Sequence, residues 1–128
     1  MRQVVDLPEN AALARIGTPV SLLVASKGML YSCGIPPFDP ATGEILRGSI
    51  EAQAEAVLSL MKSALETAGS GMEKVVKTTI FVTDEAHFGP VNEVYRRYFS
   101  APFPARSFVA IKPWTQPFDI EIECIAEA

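Results

Sequence analysis

Hydrophobic positions along the chain recur with a period of two in some segments and of three to four in others, and each change of period marks a change of element. The segments Val20 to Ala25 and Met29 to Cys33 are apolar and carry β-branched or aromatic residues. Ser26-Lys27-Gly28 between them offers a glycine for positive φ, so the pair predicts a β-hairpin. The run Gly34 to Gly43 holds three prolines and two glycines, too many missing donors and fixed φ angles for a helix or a central strand. It predicts a loop with a tight turn near Thr42-Gly43.

From Ser49 the period lengthens. Ile50, Ala54, Val57, Met61, Ala64, Leu65 and Ala68 recur at three and four residues, while Glu51, Glu55, Lys62 and Glu66 take other faces. This predicts a helix of about five turns, with Ser49 as N-cap and Gly69 past its end. Val75 to Thr83 is rich in β-branched residues and reads as a central strand that Asp84 stops. Phe88, Val91, Val94, Tyr95, Tyr98 and Phe99 form a second helical stripe, with Gly89-Pro90 in its first turn and Ala101-Pro102-Phe103-Pro104 ending it. Strands at Ala105 to Ile111 and Phe118 to Ala126 complete the pattern. In the last, Phe118, Ile120, Ile122, Cys124 and Ala126 share one face, and Asp119, Glu121 and Glu123 the other. In the strand before it, Arg106, Phe108 and Ala110 oppose Val109 and Ile111. The order predicts one α+β domain, residues 1–128, a sheet with both helices on one face.

Composition narrows the function. The chain has 128 residues, 48% apolar and 20% charged, with a formal net charge of −4, as in a globular domain with a sizeable core. Without a cluster of Lys or Arg, nucleic acid is a poor partner. No apolar run approaches the roughly 20 residues that cross a bilayer. The N-terminal Met1-Arg2-Gln3-Val4-Val5-Asp6 puts an acid where a secretory signal needs its apolar centre, so a cytoplasmic location is expected. Cys33 and Cys124 are too few and too far apart for a disulfide framework or a zinc site, and are read as free thiols, with no metal or cofactor implied.

The candidate polar cluster is Arg106 with Glu121. If their strands are neighbours, both lie on the helix-free face, where a guanidinium fork holds a small carboxylate and an acid orients water. An interface or surface ion pair is the plainer reading of the same two residues, and spacing alone favours it. Cys33 has no evident base and is read as a packing or pocket-lining thiol rather than a nucleophile; Cys124 falls in the core register, and His87 is an exposed first-turn residue. Trp114 and Phe38, in proline-rich loops, are read as covers for the sheet edge in preference to cleft fillers.

Several blocks in order bear a resemblance: Ser32-Cys33-Gly34-Ile35-Pro36, Asp39-Pro40-Ala41-Thr42-Gly43, Glu51-Ala52-Gln53, Lys77 to Asp84, Val91-Asn92-Glu93-Val94-Tyr95, Pro104-Ala105-Arg106-Ser107 and Ile120-Glu121-Ile122-Glu123. Together they cover nearly the whole chain and resemble the Rid (YjgF) family of enamine/imine deaminases. The resemblance implies a chorismate-mutase-like fold with a mixed six-stranded sheet, a homotrimer with clefts between subunits, and cofactor-free hydrolysis of 2-imino acids to 2-keto acids and ammonia. By resemblance Arg106 binds the substrate carboxylate, Glu121 helps to position the attacking water, and Asn92 lies beside the cleft, although a cap or helix-surface amide fits Asn92 as well. With Cys33 and Phe108 these are the candidate site residues. Expected from these residues is a sheet face that carries Phe81, Phe108, Arg106 and Glu121 together.

Two departures stand out. The chain has Gly17-Thr18-Pro19-Val20-Ser21 where typical members carry a cleft tyrosine, and Cys33 where they often have serine. Both surround the expected pocket and point to a shifted substrate, a bulkier imine or enamine such as 2-aminomuconate. A noncatalytic trimer that binds small carboxylates or a regulatory protein is the alternative. An endoribonuclease or translation inhibitor, a historical association of the family, fits least, since the chain has no basic groove and no aromatic RNA-binding motif.

Overall fold

A computed structural model describes all 128 residues. Six strands, β1 (Gln3–Val4), β2 (Leu23–Ser26), β3 (Met29–Ser32), β4 (Val75–Val82), β5 (Ala105–Ala110) and β6 (Ile120–Glu127), form one mixed sheet in the order β1-β2-β3-β6-β4-β5. All neighbouring pairs are antiparallel except β4 and β5, which run parallel. Three helices, α1 (Asn10–Ile16), α2 (Ile50–Thr67) and α3 (Phe88–Tyr95), complete the fold. The fold is the α+β architecture that the sequence implied, with α2 and α3 stacked side by side over one face of the sheet.

Local signals place most boundaries. The β2–β3 hairpin turns on Lys27 and Gly28, both at positive φ (51° and 77°), the combination that suits a tight two-residue hairpin turn. Ser49 caps α2 by accepting from Ala52 N at 3.1 Å. At the other end, Gly69 takes φ 84°, and Gly69 N and Ser70 N donate to Glu66 O and Leu65 O. Those bonds satisfy carbonyls that the helix end would otherwise orphan. The second helical stripe yields a shorter helix than expected: α3 stops at Tyr95, and Arg96 to Phe99 continue as tightening turns. Two elements escape the sequence pattern. β1 has only two residues, and α1 has seven, with no side-chain cap at Glu9.

The core lies between the sheet and α2 and α3. Val57, Leu58, Met61 and Leu65 of α2 and Val91 and Val94 of α3 meet Ile80 and Val82 of β4 and Ile120, Ile122 and Cys124 of β6, all buried. The face away from the helices is different. Phe81, Thr79, Glu121, Glu123 and Ile125 there are only half-buried, and Val109 and Tyr31 are exposed. A sheet face of this mixed character is neither core nor ordinary solvated surface.

Candidate functional site

The structure separates the two residues expected to pair. β4 stands between β5 and β6, so the strands of Arg106 and Glu121 are not neighbours. In the β4–β5 register Arg106 lies beside Thr78 and Phe108 beside Ile80, both buried toward the helices. In the β4–β6 register Glu121 lies beside Phe81, on the opposite face. Side chains of paired residues point the same way. Arg106 and Phe108 therefore belong to the helix side of the sheet, and Glu121 and Phe81 to the other side; the expected single face carrying all four does not form. Each strand alternates as expected, but alternation leaves open which strand is inserted between two others.

On the Glu121 side, the backbone builds a cleft by a local break in pairing. β3 runs beside β6 as far as Tyr31, leaves it, and returns at the bridge between Ile35 and Ile122. Ser32 spans the gap: its Oγ accepts from Cys124 N at 2.8 Å and donates to Cys33 O at 2.8 Å. The break brings Cys33 and Gly34 against Glu121. A Cβ on Gly34 would run into Glu121 Oε1, so glycine alone leaves the carboxyl group its place. Together they border a cleft of about 850 Å³ whose apolar wall includes Leu13, Ile16, Val20, Phe38, Ile45 and Trp114. Phe38 and Trp114 thus wall the cleft rather than merely cover a sheet edge, and Trp114 is held by stacking on Phe118 at 4.6 Å between ring centroids.

Electrostatics follow from that enclosure. Burial, then the neighbouring Glu123, pushes the Glu121 carboxyl up to about 7, which suits a group that exchanges protons near neutrality. Cys33 is pushed up to about 11, first by burial and then by Glu121. It stays a neutral thiol and lines the pocket, as the absence of a base suggested. Cys124 is buried in the core. His87 ends the short turn at Glu85–His87 that leads into α3, half-buried rather than exposed.

The Arg106 side is an aromatic enclosure. The guanidinium carbon lies 4.9 Å from the Tyr95 ring centroid, 5.6 Å from Phe108 and 5.7 Å from Phe88. Phe88 and Phe108 meet edge to face at 5.0 Å. Tyr95 is fixed from behind, its hydroxyl 2.8 Å from Thr78 Oγ1 in the core. Arg106 takes part in no ion pair; the one salt bridge in the chain joins Arg97 to Glu55. The rings surround the guanidinium and no carboxylate of the chain pairs with it, an arrangement able to bind an anion. Asn92 lies between Phe88 and Tyr95 on the same face of α3, at spacings of four and three residues, and its Oδ1 is buried without a hydrogen-bond partner. The sequence pattern shows Phe88 and Tyr95 only as part of an apolar stripe. Their seven-residue separation, which stacks them on one helix face, was the available signal.

The sequence from residue 10 to 128 matches the family model described as Endoribonuclease L-PSP. The chain belongs to this family, which is the Rid (YjgF) family that the sequence blocks resembled. Its relatives include Reactive Intermediate Deaminase A, chloroplastic, of Arabidopsis thaliana, 40% identical over 108 residues; the match covers 84% of this chain and 58% of that longer protein. Among solved structures, the Rid family protein YyfA of Yersinia pestis, described as of unknown function, superposes with a TM-score of 0.90 at 36% identity over 100% of both chains. TdcF of E. coli with bound serine superposes with a TM-score of 0.80 at 32% identity, covering 87% of this chain and 89% of its own. The Rid family thus contains reactive intermediate deaminases beside proteins described as endoribonucleases. No helix of this chain is long and apolar enough to cross a membrane.

Proposed function

We propose that this Rid family chain is a cofactor-independent enamine/imine deaminase of the cytoplasm that removes reactive 2-imino acids as a homotrimer. The observation that carries the proposal is the split site. An uncompensated Arg106 lies in its aromatic enclosure on one side of the sheet, and a near-neutral Glu121 lies in an open cleft on the other. One chain cannot bring them to a common ligand, but adjacent copies can, each lending one side. Arg106, Phe108 and Asn92 of one subunit would then face Glu121 and Cys33 of the next. The names of the relatives agree: one is a reactive intermediate deaminase, and another holds serine, a small α-amino carboxylate.

In this reading Arg106 grips the substrate carboxylate through two parallel N–H···O bonds, with Asn92 on the neighbouring helix face beside it. Glu121, as carboxylate, takes a proton from a water aimed at the imine carbon. The water oxygen bonds to that carbon while the C=N π pair moves to nitrogen, giving a carbinolamine. Glu121 returns the proton to the nitrogen, the C–N bond breaks, ammonia leaves, and the hydroxyl loses its proton to become the 2-keto group. Water attacks such imines unaided, so the protein contributes position and electrostatics.

The decisive test is Arg106→Ala in a coupled imine-hydrolysis assay. Turnover should fall by about 100-fold or more with the oligomer intact; unchanged turnover would remove the assignment. Tight 2-keto acid binding by the native chain without any turnover would instead identify the noncatalytic carboxylate binder.

A further inference from the structure

Resting on the deaminase reading, we infer that this site selects 2-imino acids with a bulky apolar side chain, of four or more carbons, over the three-carbon substrate and over dicarboxylates.

Three observations carry the inference. The cleft beside Glu121 holds about 850 Å³ and presents a mostly hydrocarbon wall, with Leu13, Ile16, Val20, Ile45 and Trp114 around the acid. A methyl side chain leaves nearly all of that wall wet. In the single chain, large hydrophobic residues are exposed at both half-sites: Ile16 is 50% and Val20 40% exposed in the cleft, and Phe88 is 48% exposed beside Arg106. Apolar surface gathered where a ligand is gripped marks what the ligand brings. Finally, the charges at the cleft do not favour a second carboxylate. Arg47 is the single cation lining it, and Glu44 and Glu121 line it too, so a carboxylate at the far end of a substrate meets at least as much repulsion as attraction. The same balance argues against 2-aminomuconate, which carries a carboxylate at each end.

The departure of the sequence at residues 17 to 20 from the usual family pattern falls at this cleft. Thr18 and Val20 both line the cleft, and neither reaches across it as a tyrosine would. Cys33, a neutral thiol, lines the same cleft.

The test is a comparison of kcat/KM for imines generated in place by an amino-acid oxidase: 2-iminopropanoate, 2-imino-4-methylpentanoate, 2-imino-3-phenylpropanoate and 2-iminopentanedioate. The native protein should process the two bulky apolar imines at least about 10-fold better than the three-carbon and the dicarboxylate imines. Val20→Glu, at an exposed wall position, should lower the ratio of bulky to three-carbon kcat/KM by about 10-fold or more. Equal or better hydrolysis of 2-iminopropanoate, or a preference for 2-iminopentanedioate, overturns the selectivity and leaves the deaminase standing. Hydrolysis of none of the four, with the protein folded by circular dichroism, overturns both. A ratio unmoved by Val20→Glu removes the cleft as the selecting wall.

Discussion

In the proposed deaminase most of the chemistry turns on Glu121, and its environment makes two measurable demands. It sits half-buried against Gly34 with Glu123 nearby, and its carboxyl titrates near 7 rather than near the usual 4.5. If the ionised form accepts the proton from water, kcat/KM for imine hydrolysis rises with pH through about 7 and levels off above it. Glu121→Gln should lower kcat by about 100-fold or more and abolish that rise. Folding stability should respond with the opposite sign. The folded state holds the Glu121 proton more tightly than the unfolded state, so this group contributes most below pH 4.5 and its contribution declines as pH rises through about 7. Urea melts between pH 5 and 8 should show that decline in the native protein, and a smaller one in Glu121→Gln. A decline of equal size in both proteins would place the titration elsewhere.

At the scale of elements, the start of β6 is anchored by one side chain of α2. Gln53, 3% exposed, donates from Nε2 to Gly48 O at 3.0 Å and to Asp119 Oδ2 at 3.2 Å, and its Oε1 accepts from Asp119 N at 2.8 Å. Thr83 Oγ1 donates to the other oxygen of Asp119 at 2.9 Å. This latch fixes the end of the strand two residues before Glu121. Gln53→Ala leaves the half-buried Asp119 without these partners and empties a buried side-chain position, and should destabilise the fold by about 1–2 kcal/mol; a urea melt showing less than about 0.5 kcal/mol would argue that water substitutes for the amide. Elements of this kind show what the sequence discloses. The hairpin, α2 with its Ser49 cap, and the alternation of β6 were legible because their signals are local, a few residues of period and punctuation. The order of strands was not, because the insertion of β4 between β5 and β6 depends on pairings 28 residues apart with β5 and 38 to 51 residues apart with β6, which no local period encodes. The expectation of Arg106 and Glu121 on one face fails for that reason. α1 escaped for a different reason: seven residues, without a side-chain cap, leave too short a stripe to recognise.

At the scale of the whole molecule, the separation of Arg106 from Glu121 makes a prediction that no monomeric enzyme shares. In the proposed homotrimer, each single variant, Arg106→Ala or Glu121→Gln, leaves every site with one missing partner. In a mixed trimer, a subunit that keeps Arg106 but has lost Glu121 can sit beside one that keeps Glu121 but has lost Arg106, and the site between them is complete. Equal mixing, by joint unfolding and refolding or by coexpression, should restore about one quarter of native activity, since a complete site needs the right variant on each of its two sides. Mixed samples whose activity stays at the level of the separate variants would show that the two residues do not serve one site across subunits. The helix-free face offers the surface for such an assembly. Half-buried Phe81 and Ile125 and exposed Val109 lie among Lys77, Glu121 and Glu123, apolar enough to associate and charged enough to fix the register. Val109→Asp, which puts a charge on that face without touching the helices, should shift the protein to monomer in sedimentation and abolish turnover together. A monomer that still hydrolyses imines at the native rate would place the complete site within one chain, against the geometry that holds its two halves on opposite faces of the sheet.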